Sequence, residues 1–178
     1  AQGLLGPLFA IFATSIGGDI LDISGIYAAY LVVMGLATIF IGYWIGKHNG
    51  LNLMVLGYFL ASIATYGYIL VDSSNDLIIV QILLGLSVAF TDPPWYSLYD
   101  KHSDDDGKDG EAWGNAAGWY SIMSGFAILV GGFIVQAYSF NLLFLLMGTT
   151  HLSAAILQLY IVNSEIRFTT INISSNNN

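Results

Sequence analysis

The sequence predicts an all-α, polytopic membrane protein with about six transmembrane helices. Hydrophobic residues make up 56% of the chain and charged residues only 9%, whereas a soluble domain carries about 25% charged residues. The mean hydropathy is +0.69. Short polar stretches divide the sequence into apolar segments near the length, about 20 residues, that crosses a bilayer. So few charges cannot keep this much apolar surface in water, so we expect the helices to lie in a lipid bilayer.

The first three predicted helices are separated by glycine and polar residues. The first runs from Leu4 to Ile16, and because it is short we expect its beginning to be missing or interfacial. Glycine and aspartate residues from Gly17 to Gly25 predict a turn-rich loop. The second helix spans Ile26 to Ile45. A polar connection, GKHNGLN, leads to the third helix, which runs from about Leu53 to Val71.

The fourth predicted helix leads into the one long polar segment, from Thr91 to Trp119. This segment holds seven of the twelve acidic residues and two of the four lysine and arginine residues. N-cap residues just before Leu77 predict that the fourth helix starts there. Pro93 and Pro94 lack backbone donors and should bend or end the helix after Phe90. The aromatic sequence that follows them could add a turn at the membrane interface.

The last two predicted helices are joined by a very short turn. The fifth runs from about Ala116 to Tyr138, and the sixth follows a turn at Ser139 to Asn141 and reaches about Val162. Residues 1–162 are therefore expected to form one six-helix transmembrane bundle. The polar residues 163–178 are expected to be a disordered cytoplasmic tail.

The basic residues predict the orientation of the chain. With six crossings, all four fall on one face of the membrane, and the acids of the other loops fall on the opposite face. This is the positive-inside pattern, so both termini are expected in the cytoplasm, and the protein in the plasma (inner) membrane of a bacterium. The basic residues are Lys47, Lys101, Lys108 and Arg167.

Composition and motifs exclude several functions. A net charge of −8 argues against nucleic-acid binding, and zero cysteine removes disulfides and thiolate metal sites. The acidic run Asp104 to Asp106 lacks the spacing of a calcium loop and is interpreted as a solvated charge run. Hydrolase, metalloprotease and phosphate-loop motifs are absent. We therefore expect no enzymatic activity, no metal and no cofactor.

Asp92 is the main candidate for chemistry within the membrane. A carboxylate at membrane depth is costly and is by default a functional hypothesis. Proline frees backbone carbonyls at this point, and an acid lining a water-filled cavity could bind a proton or a cationic group of a substrate. The alternative is an interfacial acid that caps or ends the helix.

Glycines of the fifth helix form a second pattern. Gly114 and Gly118 are a G-x-x-x-G pair, and Gly118, Gly125 and Gly132 recur every seven residues. Small residues let helix backbones approach closely in lipid. The pattern predicts helix packing, either as an ordinary fixed contact or as a moving interface used in transport.

Four regions between Gly6 and about Val162 form an ordered set of motifs: GPLFAIFATSIGGDI, GYWIGKHNG, PPWYSLYDKH with GKDGEAWG, and SFNLLFLLMG. Together they resemble one six-helix half of a major facilitator superfamily transporter, most closely its short half-length bacterial members. The superfamily motif after the second helix matches at Gly42, Lys47 and Gly50, which the resemblance implies are gating-loop residues. Its acidic position is Gly46 here.

The resemblance implies secondary active transport of small solutes by alternating access, with this chain as one half of the transport unit. Its partners would be lipid, a small-molecule substrate, and a second copy or another six-helix half. By resemblance, helices one and four line the cavity. The candidate pathway residues are Thr14, Ser15, Gln81, Asp92 and Trp95.

His151 joins these candidates because an imidazole can relay protons. The alternative for it is a neutral histidine hydrogen-bonded within the bundle, and for the other candidates a polar side chain satisfied by a neighbouring helix. The alternative for the whole chain is a non-transporting membrane scaffold or assembly protein. Gly46 and the scarcity of intramembrane charge favour that alternative.

Overall fold

The structure is a computed structural model that describes the backbone of residues 5–45, 50–102 and 109–176 and the side chains of residues 5–45, 50–100 and 110–164. Six α-helices follow one another in these ranges, and a 3₁₀ turn at Tyr68–Leu70 extends the third. The helices are α1 Leu8–Ser15, α2 Ile20–Ile45, α3 Leu51–Gly67, α4 Ser74–His102, α5 Asp109–Ala137 and α6 Phe140–Asn176.

Five of these helices, α2 to α6, are long and apolar enough to cross a membrane. The eight residues of α1 rise only about 12 Å at 1.5 Å per residue, against a bilayer core of about 30 Å. The described part of the chain therefore contains six helices but five candidate spans, one fewer than predicted. The all-α, polytopic class is confirmed.

A compact corner joins α1 to α2. The amide N–H of Gly18 donates to the Ala13 carbonyl at 3.0 Å, and that of Gly17 donates to the Thr14 carbonyl at 3.0 Å. Gly17 has φ +90°, a conformation that a residue with a Cβ rarely adopts. These are the two bonds of a Schellman motif, which satisfies the carbonyls at the end of α1.

The start of α2 differs from the predicted loop between Gly17 and Gly25. The Asp22 amide donates to Asp19 Oδ1 at 2.8 Å, and the Asp19 amide donates to Asp22 Oδ2 at 3.3 Å. This reciprocal capping satisfies two free donors and starts the helix at Ile20 rather than Ile26. The two aspartates were interpreted as turn residues, but they cap the helix.

The helix α4 also differs from its prediction at both ends. Its start at Ser74 is capped by Ser73, whose Oγ accepts from the Asp76 amide at 3.4 Å. The helix continues through Pro93 and Pro94 to His102, so the prediction that it could end at the prolines is wrong. Pro94 is fully buried, and the packing around it offsets the loss of backbone hydrogen bonds.

The last helix continues past the predicted boundary at Val162 and ends at Asn176. Residues 163–176 contain neither proline nor glycine, so the sequence contains no strong breaker that would stop the helix at the membrane surface.

Close helix contacts organise the bundle around α4. It packs between α2 and α3, and α3 packs in turn against α6. Glycines lie at each contact: a Cβ added to Gly57 would lie 2.6 Å from Thr91 Cγ2, one added to Gly85 would lie 2.8 Å from the Tyr30 carbonyl, and one added to Gly148 would lie 2.6 Å from the Tyr66 ring. The backbones therefore approach as closely as small residues allow, which is how helices associate in lipid.

Two groups of buried side chains fill the bundle, one at each end. At the end near α1, Tyr68 stacks on Phe144 with ring centroids 4.6 Å apart, and Phe12 packs edge-on against Phe144 at 4.8 Å. The smaller group at the other end joins α3 to α6, with Leu98 of α4 packed against it. Its buried members are Leu51, Met54 and Val162.

The helix α5 lies apart from this packed group. It makes few contacts with α6 and is held to the end of α4 by a hydrogen bond of 2.8 Å from Tyr99 Oη to the Ala112 carbonyl. We compare the helices by an apolar stretch of 18 residues within each, called its apolar window. Only 6% of the residues in the apolar window of α5 are buried, against 44% for α4.

Candidate functional site

Asp92 is a half-buried acid within the span Ser74–Asp100. The Thr91 hydroxyl lies 3.4 Å from its Oδ1. Its carboxylate is within electrostatic range of Tyr30 on α2, Tyr58 on α3 and Tyr96 on α4.

The prolines after Asp92 make this part of α4 rich in hydrogen-bond acceptors. Pro93 and Pro94 have no N–H to donate to the carbonyls four residues earlier, those of Ala89 and Phe90. The Thr91 hydroxyl is directed at acceptors alone: the Ser87 and Val88 carbonyls, each at 3.2 Å, and Asp92 Oδ1 at 3.4 Å. The surroundings of Asp92 therefore favour a positively charged or hydrogen-bond-donating group.

Four aromatic side chains form a cluster one helical turn beyond Asp92, and we call it the aromatic cluster. Trp95 stacks on Tyr99 with ring centroids 5.2 Å apart and meets Tyr96 edge-on at 5.4 Å. Trp113, at the start of α5, lies 4.9 Å from Tyr99 and 5.6 Å from Tyr96. Trp95 is 39% exposed and Tyr96 46% exposed, so the cluster presents free ring surface on the side of α4 that carries Asp92.

Gln81, another predicted pathway residue, lies far from Asp92. Eleven residues of helix separate the two by about 16 Å along the axis. The Gln81 side chain is buried and donates from Nε2 to Tyr68 Oη at 3.2 Å. The structure therefore gives Gln81 a hydrogen-bond partner within the core.

Thr14 and Ser15 lie near the opposite end of α4. Their hydroxyls donate to α1 carbonyls, at 2.9 Å and 2.6 Å. A Cβ on the neighbouring Gly18 would lie 3.4 Å from Ser74 Oγ at the start of α4. Of the predicted pathway residues, the structure brings together Asp92 and Trp95 only.

A shallow groove of about 480 Å³ beside Thr14 is lined by Thr14, Gly18, Asp19, Ile20, Leu21 and Ile23.

Comparison with known proteins supplies the family. A family model described as Major Facilitator Superfamily matches residues 1–169. The chain belongs to the Major Facilitator Superfamily. The resemblance seen in the sequence is thus confirmed, and the chain is a multi-pass membrane protein of transporter type. No curated protein matches the chain significantly.

The superfamily motif after the second helix is described in part. A Cβ on Gly50 would lie 2.9 Å from Pro94 Cβ, so the end of this loop packs against the proline pair of α4. Gly42 is exposed, with no described atom within 4 Å of an added Cβ. Lys47 lies outside the described residues. The contact at Gly50 links the motif to the segment that carries Asp92, and a gating role stays a prediction.

His151 lies on the face of α6 that packs against α3. It is buried, and its Nε2 has no hydrogen-bond partner within the described part of the chain. For this nitrogen the predicted hydrogen bond within the bundle is not found among the described residues. Its interface is separate from that of Asp92, because α3 lies between α4 and α6. A role in proton transfer stays a prediction.

The predicted packing glycines of α5 face open space within the described residues. No atom there lies within 4 Å of a Cβ added to Gly114, Gly118, Gly125 or Gly132. Close contacts occur instead at Gly57, Gly85 and Gly148, which sequence reasoning missed. Gly57 and Ala61 form a small-x-x-x-small pair, a signal that could have revealed the contact between α3 and α4.

Proposed function

We propose that this chain is one six-helix half of a secondary active transporter of small solutes that works by alternating access. The observation that supports it is the unequal burial of the spans within a chain that belongs to a superfamily of transporters. Only 11% of the apolar window of α2 and 6% of that of α5 are buried. These two helices have the free surface on which a second half, in a second copy of the chain or in another protein, can dock.

In this proposal the substrate crosses between the two halves, and rocking of the halves exposes the cavity to one side of the membrane at a time. Asp92 carries the coupling proton or a positive charge of the substrate, because it is an acid within a candidate membrane span. Both termini lie in the cytoplasm, as the distribution of the four basic residues predicts.

Uptake by the purified chain in proteoliposomes tests the proposal. A panel of labelled solutes is offered with and without a proton gradient, and the internal pH is recorded with an entrapped dye. We expect a solute whose accumulation depends on the chain, and we expect Asp92→Asn to abolish proton-coupled accumulation while leaving the protein folded.

Asp100→Asn is the matched control, because Asp100 is an exposed acid on the same helix. It should leave accumulation unchanged. Full accumulation by Asp92→Asn would refute the role of this acid. Properly inserted protein that moves no solute in either condition would favour the scaffold alternative.

A further inference from the structure

The junction of α4 and α5 combines two features on one surface: an acid within a candidate membrane span, and partly exposed aromatic side chains. Trp95 and Tyr96 follow Asp92 by three and four residues, so all three lie on one face of α4. Trp113 of α5 contacts Tyr96 at a centroid distance of 5.6 Å. The hydrogen bond from Tyr99 to Ala112 holds the two helices in this arrangement.

The side chains of the aromatic cluster cover one another only in part. Tyr99 covers one side of Trp95 by stacking at an interplanar angle of 19°, while Trp95 as a whole remains 39% exposed and Tyr96 46% exposed. The faces of tryptophan and tyrosine attract cations, and aromatic rings beside a negative charge are typical of sites for quaternary ammonium groups.

Charge and hydrogen bonding select against other ligand classes. Anions would be repelled by the Asp92 carboxylate. A neutral sugar would leave the partly buried Asp92 carboxylate without a counter-charge. A bare metal ion needs a shell of oxygens, which ring faces do not supply.

The surrounding sequence adds a long-range attraction for cations. The segment Thr91 to Trp119, which contains the whole aromatic cluster, carries seven acids against two lysines. Such an excess of one sign raises the local concentration of ions of the opposite sign.

We propose that Asp92 and the aromatic cluster form a binding site for an organic cation, a quaternary or protonated amine of small size. The carboxylate neutralises the charge, and the rings of Trp95 and Tyr96 cover the methyl or methylene groups around it. The inference rests on the proposed function in that the cation would be the transported solute.

Binding of radiolabelled choline to the purified full chain in detergent tests the site directly. The matched competitor is 3,3-dimethyl-1-butanol, which has the shape of choline without its charge. We expect unlabelled choline to displace the label and the neutral alcohol not to. Replacing Asp92→Asn or Trp95→Leu should weaken binding by about tenfold or more, as expected for loss of a desolvated charge or cation–π contact.

Two control variants match these changes away from the site. Asp100→Asn removes an exposed acid from α4, and Trp119→Leu removes a 62% exposed tryptophan from α5. Both should bind choline as the unchanged chain does. Displacement of radiolabelled choline by the neutral alcohol or by sodium ions, as fully as by unlabelled choline, would overturn the proposal. So would a loss of choline binding in the control variants equal to that in Asp92→Asn and Trp95→Leu.

The two proposals fail in different ways. Proton-coupled accumulation of a solute that depends on Asp92, combined with no choline binding at millimolar concentration, would overturn the cation site and leave the transporter proposal standing. Choline binding that needs Asp92 and Trp95, in a protein that moves no solute, would support the site and refute transport.

Discussion

The packed helices α3, α4 and α6 differ sharply from the two open helices, α2 and α5. In the packed group between 33% and 44% of the residues in each apolar window are buried, whereas the open helices bury 11% and 6%. The helix α5 is about as apolar as the packed helices and α2 is more apolar, so a lower apolar content does not explain the difference. The packed group forms the buried part of the bundle, and α2 is attached to it by its contact with α4. The open helices keep their remaining surface for lipid or for a second half.

Glycine substitutions should separate the two groups most clearly. In Gly57→Ala, the new Cβ would lie 2.6 Å from Thr91 Cγ2 and 2.9 Å from the Ser87 carbonyl, so α3 and α4 must move apart. We expect the free energy of unfolding to fall by about 1–3 kcal/mol, measured by denaturant titration of the helical circular dichroism signal in detergent.

Gly125→Ala on α5 is the control for this prediction. An added Cβ there meets no described atom within 4 Å, and alanine favours a helix over glycine by up to about 1 kcal/mol. Its stability should stay the same or rise slightly. Equal destabilisation by the two substitutions would break the distinction between packed and open helices.

A smaller effect is expected for the buried hydrogen bond at the end of the bundle near α1. Tyr68→Phe removes the acceptor of Gln81 Nε2 and leaves a buried amide unpaired. The free energy of unfolding should fall by about 1–2 kcal/mol. Tyr120→Phe on α5, where the ring is 68% exposed, should change it by less than about 0.5 kcal/mol. Identical effects at both tyrosines would show that α5 is packed as tightly as the core.

Much of the fold could be predicted from the sequence because lipid restricts the chain to helices. The apolar segments gave the number of helices and the positions of most of their connections. The predicted helix boundaries are wrong where a side-chain contact overrides the usual effect of a turn residue or a proline. Asp19 and Asp22 cap α2 instead of forming a loop, and packing around Pro94 lets α4 continue. Such effects depend on reciprocal or distant contacts that periodicity does not reveal.

The candidate site was predictable only within one helix. Asp92 and Trp95 are three residues apart, so their shared face follows from the helical period. Trp113 joins them from α5, across a segment whose length alone does not fix the contact. Gln81 shares the helix with Asp92, but the helical rise separates them, and Thr14 lies near the far end. The resemblance indicated which helices line a cavity but not the depth at which their polar side chains meet.

The central claim is that the open surface of α2 and α5 belongs to a unit with a second half. The most direct measurement is the mass of the purified 178-residue chain in a mild detergent, by light scattering corrected for bound detergent. The account predicts a protein mass of twice the 19.2 kDa of one chain, with Gly118→Leu on α5 shifting the population toward one copy while the helical signal is kept. A single copy of 19.2 kDa at every protein concentration would contradict pairing of the chain with itself and leave another protein as the only source of a second half.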